Sequence, residues 1–245
     1  MMAPGLFLGF DAATKTFAWS LSRVDLAGIA DLRRDATALA AEIDHAAWAV
    51  RTGSADAEAA VQRAAAGAKA LAAATGGRLT LLAGATVDLA PGIADAALPT
   101  VARLRAVSRY VRDTIRPAVA AACAAEPLPL RVVVEYQMGD NAPARAVACA
   151  LVAIFAEDDV VFVGPSLKNS IALGPGLALG DFTARYATQY TANKNHARAN
   201  FDRVLALFPS RLPPMTAARR GHIADSFMQV LGMLVRGDGN EANRF

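Results

Sequence analysis

Short runs of apolar residues, each followed by a polar or charged side chain, predict the strands of a buried sheet. Residues 6–10 form a continuous apolar run that stops at Asp11, which is typical of a strand covered on both faces. Residues 17–22 alternate large apolar with small or polar side chains, which is typical of a half-buried strand. The short polar connection between the two runs predicts that they pair as a hairpin.

Three further strands and four helices are predicted downstream. The strands are residues 79–87, 130–134, which stops at Glu135, and 160–163, which Pro165 closes. Apolar positions spaced by three and four predict the helices. Pro99 opens the first helix, and Pro117 is expected to end or kink it. The other three are predicted at 142–155, 193–208 and 216–235.

An Ala-rich stretch separates the second strand from the third. Residues 31–75 are divided by Thr52-Gly53-Ser54, so they predict two helices joined by a turn and inserted into the sheet region. The order of elements implies an α/β fold with a mixed five-stranded sheet, flanked by helices on both faces. A chain of 245 residues accommodates this as one domain over 1–245, with the helical insertion at about 31–75.

The distribution of charge is more informative than its total. The formal net charge is +3, but basic residues cluster in one predicted helix and near the C-terminal helix. Such clusters suit a polyanionic partner, although a solvated helix face explains a single cluster equally well. The clustered residues are Arg103, Arg105, Arg109, Arg112 and Arg116, and then Arg211, Arg219 and Arg220.

Cysteine usage and hydropathy indicate which kinds of metal site and which cellular location to expect. The two cysteines, Cys123 and Cys149, are not in a Cys-x-x-Cys pair or near paired histidines, which argues against structural zinc. Charged residues interrupt every hydrophobic run, and no secretory signal pattern is present. We therefore expect a cytoplasmic protein, in a host cytoplasm if the source is viral.

Three acidic residues stand at positions suited to catalysis. Asp11 and Glu135 follow predicted strands, and the carboxyl ends of neighbouring strands form the reactive edge of an open sheet. Asp225 lies two positions after Ile223 and two before Phe227, so it is expected on the polar face of the last helix. Grouped carboxylates favour a hard divalent cation. A single carboxylate at a strand end also suits a cap or a turn.

Five segments of the chain carry candidate motifs: 8–15 with Asp11, 132–137 with Glu-x-Gln, 163–168 with Pro and Lys, 193–195 before a helix, and the acidic helix 222–227. In this order they resemble the motifs of the RuvC-like Holliday junction resolvases, an RNase H-like family. Each motif is weak alone, and the ordered set is fairly specific. The resemblance covers about 5–23 and 85–235, and in form it is closest to the poxviral, mitochondrial and phage-type resolvases.

The resemblance implies roles for particular residues. The metal ligands would be Asp11, Glu135 and Asp225, and Lys168 would approach the scissile phosphate or orient the attacking water. Lys194 and Gln137 would contact the DNA backbone, with Gln137 alternatively supporting Glu135. We add Arg219 and Arg220 as contacts to DNA phosphates.

His222 departs from the commonest family pattern, which has two Asp residues three positions apart in the last helix. The spacing places His222 and Asp225 on one helix face. His222 would then bind metal or act as a general acid or base, and a surface histidine with no role is the alternative. As a ligand it would favour a softer ion such as Mn²⁺.

The implied activity is resolution of four-way DNA junctions. A homodimer would present two sites to two strands, with Mg²⁺ or Mn²⁺, two ions per site, hydrolysing phosphodiesters to 5′-phosphate and 3′-hydroxyl ends. The alternatives are an RNase H-fold nuclease acting on RNA or on flap or other branched DNA, and a non-catalytic nucleic-acid-binding protein.

Overall fold

Five strands form one mixed sheet at the centre of the molecule. The strands are β1 (Gly5–Ala12), β2 (Thr16–Val24), β3 (Leu79–Asp88), β4 (Leu130–Glu135) and β5 (Asp159–Val163). The computed structural model describes residues 4–12, 16–25, 38, 41–42, 45–46, 48–75, 78–94, 97–136, 141–171, 173, 177–208 and 210–236.

The strand order is β3-β2-β1-β4-β5. This order places two acidic residues together at the carboxyl ends of neighbouring inner strands. β1 pairs antiparallel with β2, and β2 with β3, whereas β4 runs parallel to β1 and to β5. This is the RNase H-like topology, which confirms the predicted fold class and the predicted hairpin. Because β1 and β4 are parallel neighbours, their carboxyl ends lie side by side, and so do Asp11 and Glu135.

Seven α-helices have both of their ends in the described part of the chain. The helix at Gln189–Leu207 begins before the predicted 193 because the Thr188 side chain accepts a hydrogen bond from the Thr191 backbone and caps it there. A short helix at Leu179–Thr183 was not predicted. The helices are α1 (Ala57–Thr75), α2 (Thr100–Tyr110), α3 (Arg116–Ala125), α4 (Ala142–Ile154), α5 (Leu179–Thr183), α6 (Gln189–Leu207) and α7 (Ala217–Arg236).

Alternation along β1 divides its side chains between two cores. Leu6, Leu8 and Phe10 pack with α2, α3 and α4 on one face of the sheet, whereas Phe7 packs with α6 and α7 on the other. Since side chains alternate along a strand, Gly9 and Asp11 belong to the face of Phe7. The first strand therefore presents its carboxylate toward α7.

The long helix before β4 continues past Pro117, so the predicted end at this residue is wrong, and the predicted kink stays a prediction. A π-helical turn, Val111–Ile115, joins α2 to α3, and Pro117 falls in the first turn of α3. The wider turn changes the hydrogen-bond register just before a residue that has no N–H to donate. The apolar spacing of this helix predicts that Val101, Leu104, Val107, Val111, Ile115 and Val119 share a buried stripe, and this is wrong for Val101, which is 59% exposed.

The Ala-rich insertion is helical where the structure describes it. Residues 48–52 are helical, Gly53 adopts a φ of +65°, and α1 follows, which matches a turn at 52–54. Ala46 and Ala49 pack against Ala60 and Ala64. Most of 31–47 lies outside the described residues, and the single-domain assignment stays a prediction.

Candidate metal centre

Two carboxylates lie at the carboxyl ends of β1 and β4 and point to the same face of the sheet. Asp11 shares the face of Phe7 on β1, and Glu135 shares the face of Val133 on β4, since Phe7 and Val133 belong to the core beneath α7. Both acidic residues are buried, each with 5% of its surface exposed. Two buried carboxylates at adjacent strand ends require positive charge nearby.

Helix α7 crosses β1 in direct contact with its backbone because Gly9 has no side chain. A Cβ at Gly9 would overlap the carbonyl oxygen of Ser226 and lie 2.8 Å from Cγ2 of Val230. Asp225 is the neighbour of Ser226 on the helix, and Asp11 is two residues beyond Gly9 on the strand. The close crossing therefore brings the helix carboxylate beside the strand carboxylate.

Asp11, His222 and Asp225 form a group that could hold a metal ion. Each offers one ligand atom, and these atoms lie within 4.8 Å of one another. Nδ1 of His222 is 3.7 Å from Oδ2 of Asp11. These two atoms are buried and form no hydrogen bond with any residue that the structure describes, a costly state for polar atoms. Two carboxylates and an imidazole fit a divalent cation such as Mg²⁺ or Mn²⁺, with the imidazole suiting Mn²⁺ better.

Two lysines supply positive charge to the same site. Nζ of Lys168, in the 3₁₀ turn Leu167–Ser170, is 3.2 Å from Oδ1 of Asp225 and 3.5 Å from Oε2 of Glu135. Lys194, on α6, forms an ion pair with Oδ2 of Asp225. The sequence motifs around both lysines singled them out, and the fold brings both to the carboxylates.

The position of Lys168 depends on a second close crossing by α7. A Cβ at Gly232 would lie 2.6 Å from the carbonyl oxygen of Leu167, so the helix touches the backbone immediately before Lys168. Gly9 and Gly232 thus set the distances from α7 to β1 and to the 3₁₀ turn Leu167–Ser170, which we call the lysine turn.

The surroundings of the two strand-end carboxylates shift their pKa values in opposite directions. Burial alone would raise the pKa of Asp11, but neighbouring His222, Lys194 and Lys168 outweigh it and lower that pKa below its ordinary value. For Glu135, burial together with repulsion from Asp11 and Asp225 outweighs Lys168 and raises the pKa. Burial would lower the pKa of Lys168, yet the surrounding carboxylates raise it. Lys168 is therefore held as a cation, and Glu135 takes a proton more readily than Asp11.

Gln229 was not predicted as a site residue. Its side-chain amide donates a hydrogen bond to Oε2 of Glu135 in the buried interior. The available signal was its position four residues after Asp225, on the same helix face. A polar residue within an apolar stretch of a buried helix marks a partner on the neighbouring element.

The expectation that Asp225 lies on a polar face of the last helix is wrong. Asp225 is 0% exposed, and every residue from 223 to 233 is buried. The helix packs on β1, β2, β3, α6 and the lysine turn, so it is enclosed and has no solvent face over this stretch. The carboxylate is thus buried in the site.

The structure describes two of the three remaining predicted DNA contacts. Gln137 lies outside the described residues, Arg219 is exposed near the start of α7, and Arg220 pairs with Asp202 at 3.1 Å. In the upstream arginine cluster, Arg103 is buried and donates to the Leu98 carbonyl. Arg116 pairs with Asp158. Two of the five arginines thus have partners within the protein, and a polyanionic partner for this cluster stays a prediction.

The raised pKa of Glu135 predicts how the metal-free protein responds to pH. A raised folded-state pKa stabilises the protein at pH values below the ordinary value of 4.5, and this contribution is lost as pH rises through the raised pKa. We expect the free energy of unfolding of wild type, measured with urea in the presence of a chelator, to fall relative to Glu135→Gln as pH rises from acid toward neutral. Parallel profiles for the two proteins would contradict the assignment.

The fold and the site define an α/β protein of RNase H-like topology with a buried Asp–His–Asp group able to hold a metal ion. Glu135 is adjacent to this group but is not one of its members. None of the helices that the structure describes is long and apolar enough to span a bilayer. Comparisons with family models, curated proteins and solved structures found no match for this chain.

Proposed function

We propose that the protein is a metal-dependent endonuclease that cuts branched DNA. The observation that carries the proposal is the convergence of Asp11, His222 and Asp225, whose ligand atoms lie within 4.8 Å of one another, with Lys168 beside them. Acidic residues at the carboxyl edge of an RNase H-like sheet, with an adjacent buried lysine, suit hydrolysis of a phosphodiester.

The chain's own residues have separable parts in that reaction. A divalent cation held by Asp11, His222 and Asp225 would supply a Lewis acid and lower the pKa of a bound water. Lys168 offers a fixed positive charge to the phosphate, and Gln229 holds the Glu135 carboxylate in place. Attack of water oxygen on phosphorus breaks the bond to the 3′ oxygen, which takes up a proton, and leaves a 5′-phosphate and a 3′-hydroxyl.

We propose the four-way junction as the substrate because the ordered motifs resemble those of the junction resolvases. A junction offers two symmetry-related strands, so a homodimer with two identical sites would make paired cuts. Lys194, Arg219 and Arg220 would contact phosphates near the site, which positions DNA without reading its sequence. Recognition would then depend mainly on branched shape.

Cleavage of labelled synthetic substrates tests the function. We expect wild type, with Mg²⁺ or Mn²⁺, to make symmetric paired nicks in a four-way junction and to leave linear duplex intact, and we expect Glu135→Gln to make none. Metal-dependent cutting of RNA or flap substrates instead of junctions would retain the nuclease and reject the resolvase. Junction binding without any cleavage would favour a non-catalytic DNA-binding protein.

A further inference from the structure

Asn200 is a buried polar residue on α6 that binds the backbone downstream of the lysine turn. Its side chain is fully buried, and its Oδ1 accepts a hydrogen bond of 2.8 Å from the N–H of Leu173. Its Nδ2 donates to the carbonyl of Leu177 at 3.1 Å. Since both ends of one buried amide are bonded to the same segment, Asn200 fixes that segment to α6.

The lysine turn therefore has an anchor on each side of Lys168. On the N-terminal side, the carbonyl of Leu167 lies against α7 at Gly232. On the C-terminal side, Asn200 holds the chain three residues after the turn ends. We propose that Asn200 is a positioning residue, which holds the lysine turn against α6 and thereby fixes the Lys168 ammonium in the site. This inference rests on the proposed function of Lys168 in phosphodiester cleavage.

The turn needs anchors of this kind because its own hydrogen bonds are local. The N–H of Leu167 donates to the Gly164 carbonyl, and the N–H of Asn169 donates to the Ser166 carbonyl. Such bonds fix the shape of a turn but not its place beside other elements. The lysine side chain is a flexible four-carbon stem, so it does not fix the position of its own ammonium.

Apolar packing alone would leave the register of this segment less well defined. Ile171 lies in one core with Ala197 and Phe201 of α6, and apolar contacts are not directional. Hydrogen bonds require a particular distance and angle, so the two bonds of Asn200 select one placement of the segment along the helix. The N–H of Leu173 would lose its bond if the segment slipped, which is costly in a partly buried position.

Two measurements on Asn200→Ala test the proposal. Backbone hydrogen exchange reports whether the turn is still held, and we expect the amides of Leu167 and Asn169 to exchange about tenfold faster than in wild type. Junction cleavage reports the effect on Lys168. We expect kcat to fall by about 10²-fold with KM nearly unchanged, because a small displacement of a catalytic group has an effect of that size.

A double-mutant cycle distinguishes positioning of Lys168 from a general structural role. In a Lys168→Ala background, measured with enzyme in excess, Asn200→Ala should lower cleavage by less than about threefold, because the ammonium that it positions is gone. Tyr110→Phe is the matched control. It removes a hydrogen bond from Trp19 on the other face of the sheet, so exchange of the lysine turn and the cleavage rate should both match wild type.

The outcomes separate this inference from the function on which it rests. Equal losses of cleavage from Asn200→Ala in both backgrounds would overturn the positioning role and leave a nuclease, and so would unchanged exchange of the turn. If wild type cleaves no junction, the proposed function fails, and hydrogen exchange still decides whether Asn200 holds the turn. If Asn200→Ala does not fold, wild-type exchange decides. Similar protection of the turn and Leu173 amides sustains the proposal, and rapid exchange of the turn beside a protected Leu173 overturns it.

Discussion

Asp11→Asn should lower metal-dependent cleavage by about 10³-fold or more while the protein stays folded. A bound cation supplies several kcal/mol of transition-state stabilisation, and each increment of about 1.4 kcal/mol is worth tenfold in rate. The substitution keeps the size of the side chain but removes an anionic ligand from the Asp–His–Asp group. We expect the rate of junction cleavage and the affinity for Mn²⁺, measured in parallel, to fall together.

A carboxylate at the amino end of β5, at the end of the strands opposite to the site, provides the control for this substitution. Asp159 begins β5 and pairs with Arg131 at 2.6 Å, so Asp159→Asn removes the same charge far from the strand ends that form the site. We expect its cleavage rate to match wild type. Equal losses in Asp159→Asn and Asp11→Asn would show that the effect comes from net charge or folding rather than from the metal centre.

Gly9→Ala should destabilise the protein by about 3 kcal/mol or more, at the upper end of the range for overpacking. The added methyl would overlap the Ser226 carbonyl, lie 2.8 Å from Val230 Cγ2 and lie 3.1 Å from Ser20 Oγ. A backbone carbonyl within a buried helix cannot rotate away, so α7 must move off the sheet. The free energy of unfolding in urea measures the loss, and the Mn²⁺ affinity should fall with it because Asp225 moves away from Asp11.

Gly221→Ala is the matched control, since this glycine lies on the same helix with nothing within 4 Å of the added methyl. Alanine is favoured over glycine in a helix by up to about 1 kcal/mol, so the variant should be as stable as wild type or slightly more stable. A Gly9→Ala protein with unchanged stability would contradict the close crossing of α7 and β1.

The sequence by itself determined the strands and the edge at which the site forms. Apolar runs that stop at Asp11 and Glu135 predicted two buried strands, and parallel pairing of β1 with β4 puts both ends together. The spacing of three between His222 and Asp225 predicted their shared helix face. These features follow from local periodicity, which side-chain alternation and the helical turn impose on any chain.

Only the tertiary structure decided which neighbours each of these residues meets. Gln229 contacts Glu135 across 94 positions of sequence, and Lys194 reaches Asp225 from a different helix. The burial of Asp225 could not be read from periodicity, because a repeat shows which residues share a face and not what covers it. Arg103 and Arg116 met internal partners for the same reason. Contacts between distant segments depend on how closely backbones approach, and here Gly9 and Gly232 set that approach.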